Sequence, residues 1–458
     1  MQKTPPHIAI LPSPGMSHFI PMFEFAKRLT LQHNFSTTLV IPHYSGPHLD
    51  KQNAFLLQQL PKGMNYTLLP PPNFSAFEAN LDFKLRCCLT ISKSVQSIRD
   101  VIKSLMKTQN LVALVVDLFG TQAFDVANEL NISPYMFFPS TAMALSSFFF
   151  AIELDATVSC EYRDFPEPIR IPGCIPIHGK DLPEPFHLDR ESIGYKYFRD
   201  DIKRYKMAEG IIVNTFNEME AGAMKALHDK QLENPPIYSV GPLVQTTRSI
   251  ENSECMKWLG DQPVGSILFI CFGSLGLLSR AQIHELALGI EMSEKGFLWV
   301  VRSPNDDPSG FLPEGFVERT KQRGFLVSNW APQAKILSHA STGGFLTHCG
   351  WNSVLESVVN SVPMIAWPLF AEQKMNAAML SEDLKIALRL DANNNIEDGL
   401  VGKVAIANFV KDLMDGEEGK QLRKKTMELK DAAAKVLGED GSSTKSVFHF
   451  SCMLKNKI

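Results

Sequence analysis

Short runs dense in Val, Ile and Leu recur along this chain, and helical periodicity follows many of them. In the first half they are His7–Leu11, Thr37–Ile41, Tyr66–Leu69, Leu111–Val116, Pro134–Phe138 and Ala208–Val213. In the second half they are Ser266–Phe272, Phe297–Arg302, Gly324–Val327, Gly343–Thr347 and Val362–Ala366. Phe19–Leu29, Thr121–Leu130 and Arg280 to about Glu294 read as helices between them. Buried strands separated by helices specify an α/β fold with parallel sheets covered on both faces. A chain of 458 residues exceeds one ordinary core. Ser239–Ser253 lacks periodicity and contains Gly241-Pro242, so it is the expected connection. The expected division is 1–240, a linker 241–253, a second domain 254–438, and a last helix within 439–458 that packs back on the first domain. Pro304–Gly315 reads as a loop, and Leu400–Met414, Glu417–Val436 and Thr444–Leu454 read as helices. Open α/β sheets bind ligands outside the carboxyl ends of their strands, so two such domains should face a shared cleft.

Charge narrows the partners. A net charge of −4 and a pI near 6.3 argue against nucleic acid or an anionic membrane surface. Any anion site must therefore be local. The longest apolar segments, near Ala142–Leu154 and Ile267–Leu278, fall short of the ~20 residues that span a bilayer. Met1–Pro6 is polar and Ile8–Leu11 is too short for a secretory h-region, so a cytoplasmic protein is expected. The eight cysteines are scattered, with no C-x-x-C, and read as reduced thiols. Three matches to the glycosylation sequon, at Asn34, Asn65 and Asn73, are read as chance.

The chemistry concentrates in Trp330–Gln373. Gly343–Thr347 is a strand, His348-Cys349-Gly350-Trp351 a turn, and a helix follows that Asn352 or Ser353 would cap. A helix N-terminus has unpaired N–H groups and partial positive charge, so it suits a phosphate. His, Asn and Ser at that turn point to a diphosphate cradle that needs no metal. Against this stands a purely structural reading, because Ser353-Val354-Leu355-Glu356 is also a capping box. The flanks shift the balance. Three of the chain's five Trp (Trp330, Trp351 and Trp367) lie here, with Gln333, His348, Glu372 and Gln373. That set suits a groove that stacks a base and holds hydroxyls.

In the first half, His18 follows the first strand at a helix start, and Asp117 ends the strand Leu111–Val116. Both lie at carboxyl ends of parallel strands, hence on one rim. Asp117 accepting from one imidazole nitrogen would leave the other as a base. The positive helix end should keep the ring neutral. The structural alternatives are a surface histidine and a helix-capping aspartate. There is no G-x-S-x-G elbow, no G-x-G-x-x-G fingerprint and no P-loop. Neither is there a His/Cys/carboxylate cluster at metal spacing.

These residues together resemble the plant family 1 UDP-sugar-dependent glycosyltransferases. WAPQ, HCGWNS, Glu356, Pro363, WP and EQ stand where that family's 44-residue signature places them, and the likeness extends to His18, Asp117 and Phe272-Gly273-Ser274. The resemblance implies a GT-B fold of two Rossmann-like domains around a cleft. It implies that Trp330 stacks on uracil, with Ala331 and Gln333 contacting uridine and Glu356 holding the ribose hydroxyls. Ser274, His348, Asn352 and Ser353 would hold the diphosphate. Trp351, Glu372 and Gln373 would hold sugar hydroxyls, reached by Ser140 from the other domain. Gln373 is similar to the residue of glucose-using members, so UDP-glucose is the implied co-substrate, with no cofactor and no metal. SPGMSHFIPMFEFAKRL, LVVDLFGTQAFDVA, AEGIIVNTF and WPLFAEQKMNA are similar to the hydroquinone (arbutin synthase) and monolignol glucosyltransferase group. A small phenolic acceptor is implied.

On this reading the enzyme is an inverting O-glucosyltransferase and a monomer. Phe119, Phe148 and Phe370 are expected acceptor walls. Two positions depart from the family pattern, Ser17 before His18 and Ser361 before Val-Pro, each where glycine is usual. Ser17 would crowd the acceptor or tilt His18, and Ser361 would have mild structural effects. The alternatives are C-glycosylation of a phenolic ring on the same scaffold and a non-catalytic sugar-nucleotide binder.

Overall fold

The computed structural model describes residues 5–43, 56–75, 78, 83–246, 254–302, 309–390, 396–397 and 400–457. Two parallel sheets organise them. The first has seven strands: β1 Pro6–Leu11, β2 Ser36–Ile41, β3 Met64–Leu68, β4 Asn110–Asp117, β5 Ser133–Phe138, β6 Ile211–Val213 and β7 Ile237–Ser239. Their order is β3-β2-β1-β4-β5-β6-β7, every pair parallel. The second has six: β8 Ile267–Cys271, β9 Gly296–Val301, β10 Gly324–Ser328, β11 Thr342–Thr347, β12 Met364–Ala366 and β13 Ala387–Arg389. They run β10-β9-β8-β11-β12-β13, again all parallel. Both sheets are doubly wound, with order reversing between β1 and β4 and between β8 and β11. The α/β fold class is as the alternation of runs predicts. A further pair of short strands, Ile396–Glu397 and Leu400–Val401, is antiparallel. Leu400 is therefore strand, and the helix expected from it begins at Lys403.

Burial explains the strand composition. Ile8–Leu11, Leu114–Val116 and Ile267–Ile270 are within 1% of complete burial, because helices cover each sheet on both sides. The helix Met16–His33 starts earlier and ends later than Phe19–Leu29. It closes on Asn34 in the left-handed region, a normal helix stop. The last helix, Ser442–Lys455, lies against the first sheet. Phe450 is wholly buried, with ring centroids 5.1 Å from Tyr135, 5.3 Å from Tyr238 and 5.8 Å from Phe25.

The stretch read as a polar linker is partly structured. Ile237–Ser239 is β7, and Val240–Leu243 is buried. Asn214 ties it down, its Oδ1 accepting from Leu243 N–H at 2.8 Å. Residues 247–253, and residues 304–308 of the expected Pro-rich loop, lie outside the described residues. No described helix is long and apolar enough to cross a membrane.

Candidate active site

The switch point of each sheet carries the chemistry. In the first sheet β1 leads through Gly15 (φ 112) into the helix bearing His18, and β4 ends on Asp117. His18 Nδ1–H donates to Asp117 Oδ2 at 2.8 Å. A carboxylate can only accept, so Nδ1 carries the proton and Nε2 presents its lone pair. Asp117 is fully buried, and its Oδ1 accepts from Phe119 N–H at 3.1 Å. Asp117 thus gives one oxygen to the dyad and caps the short turn Leu118–Gly120 with the other; it does not cap the helix Ala123–Glu129 that the sequence placed from Thr121 onward, whose N-cap is Gln122. The ring of Phe119 lies 5.3 Å from that of His18.

The expectation of a ring biased towards neutrality is corrected. Burial does lower the His18 pKa, but the charge and hydrogen bond of Asp117, helped by Glu372, outweigh it and raise the pKa above the ordinary histidine value. Ser17 does not disturb the dyad. It is exposed, and its carbonyl accepts from Asn352 Nδ2 of the second domain at 2.9 Å.

In the second sheet β8 leads to Gly273-Ser274, and β11 leads to His348 and the helix Trp351–Val359. The capping-box reading fails here. Gly350 is the N-cap, no side chain caps the helix, and Ser353 lies inside its first turn. Ser353 Oγ and Glu356 Oε2 instead accept from Gln333 Nε2, at 2.9 and 2.8 Å. One amide thus joins two residues a helical turn apart, and the first N–H groups of the helix remain for an anion.

Burial pushes Glu356 up to about 7, against an opposing hydrogen bond from Gln333. Burial also lowers His348 to about 4, so this ring is neutral and acts as a hydrogen-bonding group rather than a cation. It fits between two glycines. A Cβ on Gly273 would lie 2.6 Å from the ring, and one on Gly350 would lie 2.4 Å from Nε2. Its Nδ1 and the Oδ1 of Asn352 are buried without partners. Trp330, at the end of β10, is 53% exposed with its indole available to a flat ligand, and Ala331 beside it is buried. Ser274 is exposed at the mouth.

Cross-domain bonds assemble the remaining residues. Ser140, before the helix Ala142–Thr157, donates to Glu372 Oε1 at 2.8 Å. Trp351 Nε1–H donates to the Asn214 carbonyl at 2.7 Å, so its buried indole joins the domains. Gln373 is buried, and its Oε1 accepts from Leu369 and Phe370 N–H at 2.9 and 3.0 Å, leaving its amide nitrogen as the group for a ligand. Phe370 is half-buried on that loop. Phe148 lies on the helix that follows Ser140. It is buried among Phe138, Phe186 and Phe198. Sequence reasoning missed Asp181, Glu184, Asn214 and Arg389, which contact the opposite domain at this cleft. Asn214 lies within the run AEGIIVNTF, but nothing in the sequence gives any of the four a role, because each acts through a contact between domains.

Comparison with known proteins gives the family and the fold. The family described as UDP-glucoronosyl and UDP-glucosyl transferase matches residues 248–429. The chain is 57% identical to the hydroquinone glucosyltransferase of Rauvolfia serpentina, over all of this chain and 99% of that one. It is 50% identical to UDP-glycosyltransferase 72B1 of Arabidopsis thaliana, over 96% and 95% of the two chains. A structure of UGT2 from Phytolacca americana with UDP-2-fluoro-glucose and pterostilbene superposes with a TM-score of 0.91 at 50% identity, covering 98% of this chain and 100% of that one. A Polygonum tinctorium UDP-glucosyltransferase capable of glucosylating indoxyl, in complex with 3,4-dichloroaniline, gives 0.92 at 47%, covering 99% and 100%. The chain belongs to the plant family 1 UDP-glycosyltransferases, in the group of the hydroquinone glucosyltransferase, and has their GT-B fold.

Proposed function

We propose that this enzyme transfers glucose from UDP-glucose to the hydroxyl of a small phenolic acceptor, with inversion. The observation that carries the reading is the His18–Asp117 dyad, on the rim opposite an uncapped helix N-terminus. The named activity of the hydroquinone glucosyltransferase supports the donor and the acceptor class. Trp330, Ala331 and Gln333 take the uridine, and Glu356 the ribose. Ser274, His348, Asn352, Ser353 and the helix amides take the diphosphate. Ser140, Glu372, Gln373 and the Trp351 backbone take the sugar. Phe119, beside His18, and Phe370 form walls for the acceptor ring.

His18 Nε2 removes the phenolic proton while Asp117 holds the ring and stabilises the imidazolium. The phenolate oxygen attacks the anomeric carbon, and the bond from that carbon to the diphosphate oxygen breaks on the opposite face. Its electron pair leaves with UDP, where hydrogen bonds and the helix end meet the added charge.

A general base contributes ~10²–10⁴-fold in rate. His18→Ala should lose about that factor in kcat while calorimetry shows UDP bound at near wild-type affinity; a variant with full turnover would remove His18 from the mechanism. The reaction should need no metal. Among the described residues no three His, Cys, Asp or Glu side chains group as a metal site. Activity should persist in excess EDTA, and its loss there, restored by a divalent cation, would contradict this.

A further inference from the structure

The loop between β12 and the helix Gln373–Ala378 brings Glu372 to the cleft. Within it Ala371 has φ 58, a left-handed conformation that a residue with a Cβ avoids. The other domain holds it there. Glu184 N–H donates to the Ala371 carbonyl at 2.9 Å, and Glu184 Oε2 accepts from Ala371 N–H at 3.1 Å. Both polar backbone groups of Ala371 are thus engaged by one residue. The Glu184 carboxylate is exposed, so the main-chain bond is the firmer of the two.

Glu184 is itself fixed. It opens the short turn Glu184–His187, and Phe186 anchors that turn with a fully buried ring 5.5 Å from Tyr162 and 5.4 Å from Phe198. Asp181, three residues earlier, pairs with Arg389 at 2.6 Å, and both side chains are largely buried. Arg389 ends β13 in register with Ala366, where the loop begins. One segment of the first domain therefore holds the loop at Ala371 and, through Arg389, the strand beside the point where the loop begins. On the near side Gln373 already ties Leu369 and Phe370, so Ala371 is the joint where the loop's direction is set from outside.

We propose that Glu184 is a positioning residue for the donor sugar. It holds Ala371 in the turn that aims Glu372 at the sugar hydroxyls, and does so only when the domains are closed. This rests on the reading of Glu372 as a sugar-binding group.

Glu184→Pro removes both hydrogen bonds. Proline suits the first residue of a turn, and Pro183 before it has φ −53 and ψ 148, which a following proline accepts. The variant should lose about tenfold in kcat/KM for UDP-glucose, chiefly through KM, as expected for about one well-made hydrogen bond. The Kd for UDP should not change. Glu184→Gln keeps the N–H and an amide oxygen, and should stay within about twofold of wild type. Ala371→Gly in the Glu184→Pro background should recover part of the loss, because glycine takes the left-handed turn unaided. A wild-type KM in Glu184→Pro would overturn the proposal, as would equal weakening of UDP and UDP-glucose. Glu372→Ala, measured alongside, separates the two layers. If it leaves KM for UDP-glucose unchanged, the sugar-binding reading of Glu372 fails. If it raises KM and Glu184→Pro does not, the positioning role alone fails.

Discussion

Glu356 and His18 are both legible as residues in the sequence, but their protonation is not. Glu356 is a buried carboxyl with an ordinary value near 4.5 raised to about 7. Its task, accepting from ribose hydroxyls, calls for the ionised form. The sign follows directly. Below about 7 the group is protonated and one of its acceptor sites is lost; above it the carboxylate is restored. UDP-glucose should therefore bind more tightly as pH rises from about 5.5 to about 8, with an inflection at about 7. Glu356→Gln should flatten that dependence, as read by calorimetry across the range. A pH-independent Kd in the wild type would remove Glu356 from the ribose. Motif position told us where His18 and Asp117 lie, because both follow strand ends. It did not tell us that Asp117 is completely buried and Glu372 near enough to act, and those two facts raise the His18 pKa. Ser361 shows another limit. Its φ of 59 explains why glycine is usual there, a backbone fact that no side-chain reasoning supplies.

Elements were legible in proportion to their apolar signal. β1, β4, β5, β8 and β11 stand out because both faces are covered and their residues are almost all apolar. β7 and β13 are as short as β6 and β12, but each ends on a polar residue, Ser239 and Arg389, and so lacks their unbroken apolar run. The helix Ile193–Tyr205 was missed although Ser192 caps it, its Oγ accepting from Tyr195 N–H at 3.2 Å. Its signal lay in Tyr195, Phe198, Ile202 and Tyr205 on one face. The capping box that Ser353–Glu356 offers as a structural alternative is not formed, since the helix begins at Trp351, three residues before a Ser353 cap would start it. The last helix belongs by packing to the first domain, and Phe450 is its main anchor. Phe450→Ala should lower the stability of that domain by about 3–5 kcal/mol, the usual cost of emptying a buried aromatic site. Chemical denaturation followed by fluorescence would read it. A loss below about 0.5 kcal/mol, the size of an ordinary surface change, would mean that the helix is only loosely docked.

At the scale of the whole molecule the site exists only between domains, and this was the least legible level. Sheet order can be argued from strand patterns, and the two switch points then predict a cleft. Which atoms cross it depends on how the domains pack. Trp351 shows the consequence. The signature marks it as a donor residue, yet its indole N–H is spent on the carbonyl of Asn214, a fully buried residue following β6. Asn214 is bound in turn to Leu243, in the segment leaving the first domain. The bond thus joins the start of the diphosphate-facing helix to the first sheet. Trp351→Phe keeps an aromatic ring and deletes the donor, leaving a buried carbonyl without that partner, at a cost of about 1–3 kcal/mol. If closure holds the donor sugar against His18, that cost falls on the closed state in which transfer occurs. UDP, bound largely by the second domain, should keep its affinity. The expected result is a kcat lower by about 5- to 150-fold with an unchanged Kd for UDP, and a lower denaturation midpoint. An unchanged kcat would show that closure does not depend on this bond. Loss of UDP affinity in step with kcat would show instead that Trp351 acts within its own domain, by shaping the helix end that meets the diphosphate.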